Sequence, residues 1–176
     1  LWIIPDAILG VLFPALTVAL IASRTQAARM VDAATRSILL GVAVPVSMVV
    51  LFAAEGLRWW LGPEYADQSA QVMQLLAIGV LINSYARIPA AVVNAAGYPH
   101  LIAKLHLTEL PLYLLALYFF AQTWGIAGVA AAWVLRVVLD TLVICGFACL
   151  TARDLARQVL IGLLALCSST GLLLAL

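Results

Sequence analysis

The sequence predicts an all-α integral membrane protein, a polytopic bundle of about six transmembrane helices. Three observations carry this. Of the 176 residues, 66% are hydrophobic and only 10% are charged, against about 45–50% and 25% in soluble domains. Mean hydropathy is +1.15, more apolar surface than one soluble core of this size hides. Finally, six stretches approach the roughly 20 mostly apolar residues needed to cross a bilayer core of about 30 Å.

Backbone groups cannot stay unpaired in lipid, so long apolar runs without β alternation must be helices. The first span, Trp2 to Ala22, carries Pro5 near its start and Pro14 in its interior. The second, Ile38 to Ala54, contains Pro45. The third, Val72 to Val93, holds Asn83, Ser84, Arg87 and Pro89. The fourth, Leu105 to Ala121, starts with Glu109 and Pro111 and ends in Tyr118, Phe119 and Phe120. The fifth, Ile126 to Leu150, holds Arg136 and Asp140. The sixth, Val159 to Leu176, ends inside an apolar run. Internal prolines are tolerable in lipid because neighbours and water satisfy the freed carbonyls, so several kinks are expected.

The connectors give the spans a direction. Arg24, Arg29 and Arg36 lie in the first (Ser23 to Arg36), Lys104 in the third, and Arg153 and Arg157 in the fifth. The second, Glu55 to Gln71, has only Arg58, and the fourth, around Gln122 to Gly125, has no charge. Odd connectors thus hold six of the seven loop cations, which makes them cytoplasmic by the positive-inside rule and starts the chain outside. Trp59, Trp60, Tyr65 and Trp124 flank the even connectors, as an interfacial aromatic belt requires. The chain begins without Met or a basic leader and ends within a span, so both ends read as cut.

Net charge is +1 and offers nothing to a nucleic acid. Cys145, Cys149 and Cys167 sit in apolar runs without His or Asp at ligand spacing and read as packing residues. His100 and His106 read as loop and interface histidines, not a metal pair. No catalytic constellation, metal signature or cofactor motif is expected.

Charges inside a span are expensive and face a water-filled cavity or a partner. Arg136 and Asp140 are spaced i, i+4 and share one helix face, where they can pair. Asn83, Arg87 and Asn94 fall on one stripe of the third span, with Ser84 and Tyr85 on its shoulders. One reading makes Arg87 and Arg136 a cationic cavity lining, because guanidinium matches phosphate as a fork. The other lets Arg87 snorkel to headgroups or pair with Glu109, and lets Arg136 and Asp140 neutralise each other. Gly128 and Ala132 make a small-xxx-small pair that permits close helix approach.

Four segments in order carry a family resemblance: Leu9-Gly-Val-Leu-Phe-Pro-Ala-Leu16, Leu61-Gly-Pro-Glu-Tyr-Ala66 leading into Leu75-Leu-Ala-Ile-Gly79, Asn94-Ala-Ala-Gly97 with Pro99, and Trp124-Gly-Ile-Ala-Gly-Val-Ala-Ala-Ala132. Over roughly residues 9–150 the chain resembles the C-terminal half of polysaccharide (O-antigen) flippases of the multidrug/oligosaccharidyl-lipid/polysaccharide superfamily. The resemblance implies one lobe, residues 1–176, of a two-lobed transporter in a bacterial cytoplasmic membrane. It implies an undecaprenyl-pyrophosphate-linked oligosaccharide as substrate, the missing N-terminal lobe and membrane lipids as partners, and a polysaccharide polymerase and export proteins alongside. Arg87 and Arg136, with Asn83 and Asp140, are then the expected substrate-binding residues.

Three other functions fit less well. A drug/cation antiporter of the same superfamily should show acidic residues in its cavity. A membrane-embedded polysaccharide polymerase or ligase needs a long external loop, and residues 55–71 are too short for one. A scaffold subunit needs neither the polar stripe nor the prolines.

Overall fold

The computed structural model describes residues 3–174; Leu1, Trp2, Ala175 and Leu176, and the side chains of Tyr65, Asp67 and Gln68, lie outside the described residues. Five helices follow one another: α1 (Ile3–Ala22), α2 (Arg24–Leu61), α3 (Pro63–Ala95), α4 (Pro99–Thr151) and α5 (Ala156–Leu174), with a 3-10 turn at Arg153–Leu155 ahead of α5.

The 53-residue α4 would be about 80 Å long if straight, far more than one bilayer. It is not straight. Gly125 has φ 58° and ψ −133°, a conformation essentially reserved for glycine. Past it, the backbone at Gly128 lies against the carbonyl of Phe120, eight residues away, which an unbroken helix forbids. Contacts of Arg136 with Glu109 and of Asp140 with His106 continue the same antiparallel register. The first arm (residues 99–124) and the second arm (residues 126–151) therefore form a hairpin, so the described residues provide six apolar helical segments.

The helices run further than the sequence suggests. Residues 24–36, expected as a connector, are the first turns of α2. Ser23 caps that helix by accepting from the Gln26 amide, as serine commonly does. No Gly or Pro interrupts the chain until Gly41, and one buried stripe, Ala27, Val31, Thr35, Ile38, Val42, Val46 and Val50, keeps helical spacing throughout. The expected connector over 55–71 shrinks to Gly62, with Pro63 at the first position of α3, where its missing amide hydrogen is not needed.

The α3–α4 break is also legible in chemical terms. Gly97 has φ 90°; its amide donates to Asn94 and that of Tyr98 to Val93. This pair of bonds is a Schellman stop, with glycine at the left-handed position and proline after it.

α3 is the central helix. It packs against all the other helices and is by far the most buried of them. Its Leu81, Tyr85 and Val92 share one core with Leu16, Val42, Val46, Leu155 and Val159. On the opposite side of α2, Leu40, Val44, Met48 and Phe52 are exposed at four-residue spacing. An apolar exterior around an apolar core is what a lipid solvent produces. Trp59, Trp60 and Trp124 are largely exposed, as membrane anchors should be.

Candidate functional site

The charged residues within the spans fall into two groups. The first joins α1 to α3: the Arg87 guanidinium is paired with the Asp6 carboxylate. Asp6 is an acid in the first turn of α1, a favourable place beside the positive end of the helix dipole. The sequence offered Glu109 as the partner of Arg87, but the fold commits Glu109 elsewhere. Asn83 and Asn94 are half-buried on the same helix. Ser84 and Tyr85, expected on the shoulders of the polar stripe, are core residues. Ser84 donates back to the Val80 carbonyl, and the Tyr85 hydroxyl reaches the Val159 carbonyl of α5 at 2.6 Å.

The second group belongs to the α4 hairpin. Glu109 and His106 come from the first arm, Arg136 and Asp140 from the second. Arg136 Nε lies 3.4 Å from Glu109 Oε2, and its guanidinium sits 5.3 Å from the centre of the Tyr113 ring, within cation–π range. His106 Nδ1 is 3.7 Å from Glu109 Oε2 and 3.6 Å from Asp140 Oδ1. Arg136 and Asp140, whose spacing lets them pair along one helix, each take a partner from the opposite arm. Their i, i+4 spacing aims both across the hairpin, where the facing arm places its acid and imidazole three residues apart.

These atoms are well sheltered. Asp140 is 8% exposed, and Glu109 Oε2 and Asp140 Oδ1 are buried without a hydrogen-bond donor. An open pocket of about 320 Å3 runs along the hairpin, lined by Leu112, Tyr113, Ala116, Ala132, Leu139 and the charged pair Glu109–Arg136. Apart from that pair, Thr108 and the Tyr113 hydroxyl its lining is apolar, so a ligand seated there meets the ion pair as its charged feature.

Arg87 and Arg136 thus belong to separate ion pairs on different helices. Two contributors escaped the sequence reading. Asp6 lay at the edge of the first span and gave no spacing clue. His106 reads from the sequence as an interface histidine, yet Glu109 is three residues on, and folding the chain about Gly125 brings Asp140 opposite.

Comparison with known proteins adds one relative. Over 104 residues the chain is 34% identical to a protein of Shigella flexneri described as a putative O-antigen transporter. The chain is similar to that putative O-antigen transporter. The alignment takes in 58% of this chain but spans only 25% of that relative's length, within its C-terminal portion. No protein-family model matches, and no solved structure matches. Similarity to this putative transporter and five helices long and apolar enough to cross a membrane, among the described residues, describe a multi-pass membrane protein.

Proposed function

We propose that this chain is the C-terminal lobe of a flippase that carries an undecaprenyl-pyrophosphate-linked oligosaccharide across the bacterial cytoplasmic membrane for polysaccharide export. The observation that supports this reading best is Arg136, a guanidinium within a span at the edge of an open apolar pocket. The similarity to the putative O-antigen transporter supports it independently. A lipid-linked pyrophosphate must move its charge through a low-dielectric region, and a fixed guanidinium lowers that cost by forked hydrogen bonds. Arg87, with Asn83 near it on α3, offers a second cationic position. The N-terminal lobe of the same protein closes the cavity, and rocking of the lobes alternates access. No covalent step is involved.

The test is export of surface glycan by the complete protein. Arg136→Ala and Arg87→Ala should each reduce it severalfold with the protein still at normal level in the membrane. Wild-type export in both variants defeats the assignment.

One observation favours a second reading, a drug/cation antiporter. Two sheltered carboxylates, Glu109 and Asp140, line or adjoin the pocket, and such antiporters use acids in their cavities. Cells expressing the complete protein would then resist cationic drugs, and glycan export would not depend on it. The polymerase or ligase reading gains nothing here, because α2 and α3 are separated by Gly62 alone.

A further inference from the structure

The hairpin brings three metal-ligating side chains together: His106, Glu109 and Asp140 each offer an atom within 4.8 Å of the others. Two features set this group apart from a chance cluster of acids. One donor is an imidazole nitrogen, and it points at both carboxylates, 3.7 Å from one and 3.6 Å from the other. In addition, the two oxygens it faces are buried and accept no hydrogen bond, and Asp140 as a whole is 8% exposed. Glu109 Oε2 already has the Arg136 guanidinium beside it, but a sheltered carboxylate oxygen without a donor, as Asp140 Oδ1 is, is costly, and a cation between the three atoms offsets that cost.

We propose that His106, Glu109 and Asp140 are three ligands of a divalent transition-metal site of the Zn2+ class, with its fourth position open. The distances fit. Bonds of about 2.1 Å in tetrahedral geometry separate neighbouring ligand atoms by about 3.4 Å, so small side-chain rotations close the site. The donor set also selects the metal. One imidazole with two carboxylates suits zinc and its neighbours, whereas magnesium and calcium take mostly oxygen donors in larger number. His106 is partly exposed, which leaves room for a water or a ligand oxygen at the fourth position.

Arg136 does not occupy the site but flanks it, against Glu109 Oε2 and over Tyr113. Its positive charge competes with a cation for the Glu109 carboxylate. Two carboxylates and one guanidinium sum to −1 with a neutral imidazole, and a divalent ion turns this to +1. Loading therefore reverses the sign of the charge beside the hairpin pocket. Only this last consequence, for an anionic substrate, rests on the proposed flippase function; the metal site itself does not.

The experiment uses the full chain in detergent and Co2+ or Zn2+ alone as probe. Wild-type protein should bind one Co2+ per chain, with ligand-field absorption and no thiolate-to-cobalt charge-transfer band. His106→Ala and Asp140→Asn should each weaken binding on the order of tenfold or more, while His100→Ala leaves it unchanged. Arg136→Gln should tighten it, since a repelling charge is removed, a direction that loss of folding cannot imitate. His106 is partly exposed, so its alanine variant should keep wild-type helicity. Overturning outcomes are no binding by the wild type, equal binding by His106→Ala, or a thiolate band that places the ion on the cysteines.

Discussion

The hydroxyl of Tyr85 in α3 donates to the carbonyl oxygen of Val159 in α5 at 2.6 Å, in the most buried part of the lobe. Gly162, less than one turn further along α5, leaves the space that the ring needs. A Cβ there would lie 2.8 Å from Tyr85 Cε2, 2.9 Å from Tyr85 Oη and 3.0 Å from Thr35 Cγ2. Gly162→Ala should therefore destabilise the lobe by about 1–3 kcal/mol, the usual cost of overpacking. Tyr85→Phe should cost less, about 0.6–1.5 kcal/mol, because it removes one hydrogen bond and keeps the ring. Thermal melting in detergent checks both, and the ranking is the decisive part. A phenylalanine variant less stable than the alanine variant would show that the hydrogen bond outweighs the packing.

The number of apolar helices was nearly legible because apolar length is a strong signal, but the expected connectors over 55–71 and 97–106 were too long: the chain breaks only at Gly62-Pro63 and at Gly97 to Pro99, where glycine and proline restrict the backbone. The end of one helix and the start of the next were not legible where the sequence lacked such residues. Charge suggested that Arg24 to Arg36 forms a loop, but Ala-rich sequence with a buried four-residue rhythm continues as helix regardless of its polarity. Tyr85 was assigned to a polar stripe by spacing alone. Its burial depends on Gly162, which lies 77 positions away and could not be paired with it in advance.

The α4 hairpin closes on two glycines with different duties, and each gives a prediction. Gly125 supplies a backbone conformation that side chains rarely adopt, so Gly125→Ala should cost about 1–3 kcal/mol as stored strain. Gly128 has an ordinary helical position, but a Cβ on it would run into the Phe120 carbonyl. Backbone cannot rotate away as a side chain can, so Gly128→Ala should push the arms apart. It should lower melting at least as much as Gly125→Ala and also loosen the pair Glu109–Arg136. Unchanged melting in Gly128→Ala would mean that the arms do not pack this closely.

The polar site was half legible. Arg136, Asp140 and Glu109 stood out as charges within apolar runs, but their pairing required the position of the turn. Once Gly125 is the turn, residues whose numbers sum to about 245–249 face each other, and Arg136 meets Glu109 while Asp140 meets His106. Hydrophobicity cannot supply that register; the glycine does.

A double-mutant cycle tests the cross-arm pair. Arg136→Ala leaves two sheltered carboxylates without a guanidinium and should destabilise by about 2 kcal/mol or more, since breaking a buried pair strands a charge. Glu109→Gln in that background removes one of them and should restore part of the loss. A coupling energy between about 0.5 and 3 kcal/mol is expected for residues in contact. Additive effects would show that the two side chains do not interact. Glycan export measured on the same variants separates roles: a purely structural pair regains export with stability, whereas a substrate-binding Arg136 leaves export low in the stable double variant.

The last prediction concerns orientation, which rests on the cations. The 38-residue α2 is about 57 Å long at 1.5 Å per residue, longer than the bilayer core, so one end must project. Its first turns carry Arg24, Arg29 and Arg36, all exposed, and Arg24 lies 3.2 Å from Asp154 next to the α5 turn. Both partners are 60% exposed, so this pair contributes little to stability but marks the end of the bundle where α2 begins and α4 finishes. If that end is cytoplasmic, a cysteine replacing Gln26 should react with a membrane-impermeant maleimide only after cells are permeabilised. A cysteine replacing Gln122, beside the Gly125 turn, should react in intact cells. Both are read in a background with Cys145, Cys149 and Cys167 replaced by serine. The reverse labelling pattern would invert the lobe and place the His106–Asp140 end of the hairpin pocket toward the outside.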